Sequence, residues 1–166
     1  YYEEVLICKV HPEIVSKYQR LPVEMTKDMK KVFNHRYESI RDFEQHIARN
    51  GTRVVKFFLN VSKKEQAARF LDRIEDSSKN WKFNEADLSE RDHWDEYQEA
   101  YEEAINETAA DHAPWYVIPA DDKKNMRLLV ASILLSEIKE LKLSWPDVGA
   151  EAKEGMERSK AKLGKG

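Results

Sequence analysis

Apolar and polar residues alternate along this chain in short, separable rhythms. EVLICKV, residues 4–10, is β-branched and nearly continuous in apolar content, with Pro12 just beyond, and it predicts a buried strand. Cys8 inside it reads as a small packing residue. Residues 13–35 are mixed, with a break at Leu21-Pro22. Tyr37, Ile40, Phe43 and Ile47 recur at helical spacing and predict a helix over about 36–50, stopped at Asn50-Gly51. TRVVKFFLNV, residues 52–61, predicts a second strand. Ser62, followed three positions later by Glu65, has the form of a capping box and opens a helix to about Asp76, with Ala67, Phe70, Leu71 and Ile74 on one face. KNWKF, residues 79–83, reads as an exposed loop. Ser89 is the expected cap of a long helix to about Ala110, lined by Trp94, Tyr97, Tyr101, Ile105 and Thr108. WYVIPA, residues 115–120, predicts a third strand. Asp121 or Asp122 then caps a helix to about Lys142, with Met126, Val130, Ile133, Leu134, Ile138 and Leu141 expected inward. Residues 149–166 are rich in glycine, lack aromatics and predict a loose tail.

Strands alternating with helices imply an α/β fold around a parallel sheet. Near-continuous apolar strands imply that both sheet faces are covered. Ligands in such sheets bind beyond the carboxyl ends of the strands. That rule points to the segments after Val10, Val61 and Ala120.

Composition narrows the function. Among 166 residues, 28 Lys and Arg face 31 Asp and Glu, a net charge of −3, which excludes a protein held to nucleic acid mainly by bulk charge. One cysteine excludes an intramolecular disulfide framework and a multi-cysteine zinc site. No apolar run approaches the roughly 20 residues that cross a bilayer. No signal peptide is visible, so a reducing cytoplasm and no membrane partner are expected.

Charge is unevenly placed. Residues 62–83 carry six cations, Lys63, Lys64, Arg69, Arg73, Lys79 and Lys82, against four acids, whereas residues 85–107 carry ten acids and one base, Arg91. Arg69 and Arg73 share a helix face and repel unless an anion or carboxylate joins them. With Lys79 and Lys82 around Trp81 just beyond, the cluster suits clamping a phosphate chain. Spacing by itself favours structural salt bridges over such a clamp, since Arg69 is within helical reach of Glu65 and Asp72, and Arg73 of Asp76. Trp81 reads as either a packing residue or a stacking platform. The five histidines fall at no metal-ligand spacing, and neither H-E-x-x-H, G-x-S-x-G nor G-x-x-x-x-G-K-[ST] occurs.

Several stretches, in order, resemble the C-terminal part of the polyphosphate kinase 2 family, from Tyr1 to about Pro146. YYEEVLICKVHPEI resembles the segment that follows that family's Walker B motif. RYESIRDFEQHIARNGTRVVKFFLNVSKKEQAARFLDRIEDSSKNWKF resembles its helix, strand and lid, with the lid pattern met by Arg69, Phe70, Arg73, Lys79, Trp81 and Lys82. NEADLSERDHWDEYQEAYEEAINETAADHAPWYVIPADDKK resembles the helix and final strand beyond.

The resemblance implies a three-layer α/β/α, P-loop-kinase-like parallel sheet with a helical lid at about 69–91. The phosphotransferase part would cover residues 1–146 and a flexible tail 147–166. It further implies reversible phosphoryl transfer between inorganic polyphosphate and a nucleoside mono- or diphosphate, with Mg²⁺, in a homo-oligomer. Arg69, Arg73, Lys79 and Lys82 would be the catalytic, phosphate-binding lid residues. The Tyr-Tyr-Glu opening resembles the branch that accepts AMP as well as ADP, which would put Glu3 near the metal and the acceptor phosphates. The Walker A loop, the Walker B aspartate and its neighbouring arginine are expected before Tyr1, and so is the main metal ligand. Two alternatives stay open at this point: an ATP-dependent nucleotide or small-molecule kinase of the same fold, and a non-catalytic interaction fragment.

Overall fold

The computed structural model describes residues 1–19 and 21–164. Two compact units divide at Leu129/Val130.

The first unit is built around two parallel strands, β1 (Lys56–Asn60) and β2 (Trp115–Pro119), in register from Lys56 opposite Trp115 to Asn60 opposite Pro119. Parallel neighbours need a long crossover. It is supplied here by three helices, α4 (Lys63–Glu75), α5 (Ala86–Asp92) and α6 (Trp94–Thr108). Before β1 come α1 (Ile7–Val10), α2 (Val23–Thr26) and the long α3 (Met29–Arg49). The expected α/β class with a parallel sheet is therefore found. Phe58 of β1 stacks on Tyr101 of α6, with ring centres 4.4 Å apart, and fixes that helix against the sheet.

Residues 4–10 are not a strand. Tyr2–Glu4 form a 3₁₀ turn and Ile7–Val10 a short helix. Among the described residues this leaves a sheet of two strands rather than three. Burial explains the choice. Val5 and Cys8, three residues apart, are both buried and pack with Val32, Phe33, Tyr37 and Ile40 of α3 and Ala104 of α6. One turn of helix presents two residues at that spacing to one core, whereas a strand would turn them to opposite faces. Cys8 is the packing residue expected of it.

α3 starts seven residues earlier than its apolar spacing suggested, because the Asp28 side chain accepts from Lys31 N at 3.1 Å and caps it there. Asn50-Gly51 ends it as expected. Gly51 takes φ +88° and closes the last turn by donating to Ala48 O at 3.0 Å. The helix expected to start at Ser89 begins instead at Ala86, whose N–H bonds the Asn84 side chain at 3.1 Å, and it breaks at His93.

A polar network lies at the amino-terminal end of the strands. Lys56 Nζ donates to Glu44 Oε2 (2.6 Å), Tyr2 Oη (3.0 Å) and Thr108 O (2.9 Å). Tyr1 and Tyr2 hydroxyls donate to Glu44 Oε1, and Trp115 Nε1 donates to Thr108 Oγ1. Glu44 and Lys56 are 1% and 7% exposed. Burial pushes the Lys56 ammonium down, opposed by the bond to Glu44. The same network raises the Tyr1 phenol to about 12, chiefly through burial and then through its bond to Glu44.

α7 (Lys123–Glu140) is capped by Asp122, which accepts from Lys124 N and Asn125 N at 2.8 and 3.2 Å. Met126, Val130 and Ile133 are half-buried as expected, but Leu134, Ile138 and Leu141 are exposed. Leu128, Leu129 and Leu135 interrupt any single apolar stripe, so periodicity alone does not define one inward face. In the second unit, residues 150–163 form helix α8 (Ala150–Leu163) where a loose tail was expected. Alanine, glutamate and lysine favour the helical backbone there without burying any residue. Lys165 and Gly166 lie outside the described residues.

Candidate functional site

α4 rises directly from the carboxyl end of β1. The Ser62 side chain accepts from Glu65 N at 3.1 Å, as a cap should. The reciprocal bond of a capping box does not come from Glu65, however. Ser62 N donates to Asp121 Oδ1 at 2.7 Å, and that bond holds the Asp121 carboxyl below the usual carboxylate range. The helix start is thereby tied to the segment after β2. Arg69 adds a second tie. Its Nε donates to Glu65 Oε1 at 2.9 Å and its Nη2 to Ala120 O and Asp121 O at 2.7 and 3.2 Å. A cavity of about 490 Å³ opens here, lined by Asn60, Ser62, Val117, Ala120, Asp121 and Asn125. This is the carboxyl-end crevice expected after Val61 and Ala120.

The other cations of the basic segment divide in two. Lys79 Nζ binds Asp72 at 3.0 Å and Asp76 at 2.8 Å. Those bonds raise the Lys79 ammonium and hold Asp76 down to about 2. Arg73 and Lys82 form no ion pair among the described residues. The Arg73 guanidinium lies 5.5 Å from the Phe70 ring centre and Lys82 Nζ 4.9 Å from that of Trp81. The reach from Arg73 to Asp76 is not used because Asp76 has left the helix in an extended conformation, φ −92°, ψ 106°, and turns to Lys79. Residues 80–82, expected as loop, make a 3₁₀ turn. Asn80 Nδ2 fastens it by donating to Arg73 O and Ile74 O at 2.9 and 2.8 Å. Trp81 is 78% exposed on that turn and is not a packing residue.

Arg69, Arg73, Lys79 and Lys82 thus share one continuous segment, α4 and the turn that follows it. Glu3 is apart from them, exposed on the first 3₁₀ turn. Magnesium takes one or two carboxylates together with water and phosphate oxygens. Glu3 offers one carboxylate, and no group of three or more His, Cys, Asp or Glu comes together for a metal ion among the described residues. These residues do not make a metal centre by themselves.

The segment after Val10 is not near the site as a strand end. It comes near through His11, whose Nε2 meets Glu90 Oε2 at 3.0 Å, while Tyr97 Oη donates to the same oxygen at 2.6 Å. The bond to Glu90 raises the His11 imidazole, and the bond from Tyr97 leads in holding Glu90 down. Arg91 Nη1 donates to Lys63 O and Gln66 Oε1, both at 2.8 Å, and latches α5 to the start of α4. The strand-end rule pointed to the segments that begin at His11 and Asp121 without giving either residue a role in the site, and it did not single out Glu90. His11 and Glu90 are 79 positions apart, so no local spacing signals their contact.

Among the described residues no helix is long and apolar enough to cross a membrane.

Residues 14–145 match the family described as Polyphosphate kinase 2. An ADP-polyphosphate phosphotransferase of Rhodopseudomonas palustris is 51% identical over 148 residues, which cover 89% of this chain and 50% of that protein. An AMP/ADP-polyphosphate phosphotransferase of Meiothermus ruber is 43% identical over 133 residues, covering 79% of this chain and 50% of that one. The crystal structure of polyphosphate kinase 2 from Arthrobacter aurescens TC1 superposes with a TM-score of 0.75 at 36% identity, covering 95% of this chain and 52% of that one. The chain spans about half the length of these relatives. A match over most of the chain, relatives above two-fifths identity and a shared fold agree: the chain belongs to the polyphosphate kinase 2 family.

Proposed function

We propose that this chain supplies the lid and the carboxyl-end half of a site that transfers a phosphoryl group between inorganic polyphosphate and a nucleoside mono- or diphosphate. One observation carries the reading: Arg73, in the last turn of α4, and Lys82, on the 3₁₀ turn that Asn80 fastens to that helix, have no carboxylate partner among the described residues. The names of the relatives support the same substrates. Phosphoryl transfer is catalysed mainly by positioning and by offsetting charge. Arg69 holds α4 in place while Arg73 and Lys82 bind phosphate oxygens. Lys79 joins them when a phosphate chain displaces Asp72 and Asp76, an exchange helped by the weakness of screened surface pairs. Glu3 would offer one carboxylate to a magnesium ion carried on the phosphates, which supplies further charge neutralisation. The family resemblance supports a homo-oligomer, and a single buried cysteine suits a reducing cytoplasm.

The test is a donor comparison. In the full-length protein, polyphosphate with AMP or ADP should yield the phosphorylated nucleotide. Transfer from ATP alone to a nucleotide or small molecule would replace this reading with that of an ATP-dependent kinase, and no transfer from either donor would end it.

A further inference from the structure

α4, the 3₁₀ turn at Asn80–Lys82 and α5 bury no residue. This segment depends on polar ties more than on a core, and a segment with few buried apolar contacts opens locally at low cost. The ties sit at its two ends. At the leading end, Arg69 donates to Ala120 O and Asp121 O. At the trailing end, Glu90 Oε2 meets His11 Nε2 at 3.0 Å and accepts from Tyr97 Oη at 2.6 Å. Between them, among the described residues, the side-chain bonds are local: Ser78 and Lys79 turn to Asp76, and Asn80 to the end of α4.

The trailing tie contains a group that changes charge near neutral pH. His11 lies just beyond α1 and has a carboxylate at each ring nitrogen: Glu90 at Nε2, and Glu13 Oε1 3.3 Å from Nδ1. Only the imidazolium donates from both nitrogens. A neutral ring carries one N–H, so one of the two carboxylates then faces a lone pair. From the junction of α5 and α6 the His93 ring packs edge-on against His11, 5.1 Å between centres, and His93 Nδ1 turns to Glu96 Oε1 at 3.6 Å. Three carboxylates therefore surround two imidazoles, and the bond to Glu90 leads in raising the His11 imidazole above its ordinary value.

The tie also reaches the cations. Arg91 follows Glu90 and bonds Lys63 O and Gln66 Oε1 at the start of α4. A shift of α5 at Glu90 is thus passed to the base of the helix that carries Arg69 and Arg73.

We propose that His11 is a positioning residue for phosphoryl transfer: as the imidazolium it clamps Glu90, and with it the trailing end of the lid, to α1 and α6. The proposal rests on the phosphotransferase reading and adds what holds the lid in place.

The test uses the full-length protein on both sides of the histidine titration, at about pH 6 and about pH 9. At the lower pH, His11→Ala should reduce kcat/KM for polyphosphate about fivefold, the scale of one partly exposed ion pair. At the higher pH the variant should match the unmodified protein, because the clamp is already released there. Amide hydrogen exchange across residues 86–92 should follow the same pattern, about fivefold faster in His11→Ala at the lower pH and equal at the higher. A purely structural role would lower activity alike at both pH values, and that result would overturn the proposal. So would an unchanged kcat/KM or unchanged exchange at the lower pH. If His11→Ala fails to fold, Glu90→Gln removes the charge that draws the imidazolium while leaving an oxygen for Tyr97, and the same two readouts decide. Loss of the wider reading is distinguishable: the unmodified protein would then transfer nothing from polyphosphate at either pH, while the exchange comparison would still report on the clamp.

Discussion

The two ends of the strands use the same chemistry in opposite ways. At the amino-terminal end, Lys56 meets Glu44 in a site 7% and 1% exposed, and each has further hydrogen-bond partners. Beyond the carboxyl end, Lys79 meets Asp72 and Asp76 on an open surface, while among the described residues Arg73 and Lys82 meet aromatic rings and no carboxylate. A buried charge left without its partner is strongly destabilising, so Lys56 is not available to an incoming anion. A surface pair is screened by water and contributes little, so a polyanion can displace its carboxylate. Partnering with carboxylates therefore does not by itself remove Lys79 from phosphate binding. Burial is what separates Lys56 from the cations proposed to bind phosphate.

The largest effect should come from breaking the buried pair. Lys56→Met leaves Glu44 charged in the interior and should cost about 3–5 kcal/mol in urea unfolding. A loss below about 1 kcal/mol would move this pair to the weak, surface-like side of the comparison.

Arg73→Ala should do the reverse. Among the described residues its guanidinium meets the Phe70 ring and no carboxylate, so the melting temperature should hardly change. Turnover with polyphosphate should fall by about 10²-fold, the scale seen when a donor is removed from a charge-stabilising site. Turnover that is unchanged would remove Arg73 from the phosphate-binding role.

A smaller, pH-dependent effect belongs to His11 and Glu90, which are intermediate in exposure. Glu90 raises the folded-state His11 above the ordinary value of about 6.5, so its contribution is complete below about pH 6.5 and is lost as pH rises through the folded value. Glu90 is held down, so its contribution is present above the ordinary carboxylate range and is lost as pH falls through the lowered value. Urea midpoints from pH 5 to 9 should decline on the alkaline side in the native protein. His11→Ala should flatten that limb, and an unchanged slope would show that another group sets it.

Local signals were reliable where one short stretch holds its own partners. Ser62 and Glu65 announce α4, Asn50-Gly51 announces the end of α3, and Asp122 caps α7. The two β-branched and aromatic runs at Lys56–Asn60 and Trp115–Pro119 form the strands. Residues 4–10 misled because a short apolar run suits a strand and a buried helical turn alike. Contacts of Val5 and Cys8 with α3 and α6 decide between them. In the candidate site the grouping of Arg69, Arg73, Lys79 and Lys82 was legible, since one helix and its following turn carry all four. Which carboxylate each one meets was not.

The sequence by itself determined the α/β class, the parallel strands and the concentration of cations between Arg69 and Lys82, because periodicity, caps and charge density act over a few residues. Only the tertiary structure decided that Glu44 and Lys56 are locked together, that Asp121 completes the cap of α4, and that His11 reaches Glu90. Those contacts join segments between 12 and 79 positions apart. Their strength depends on how much water is excluded around them, a property of the packed chain and not of any stretch within it.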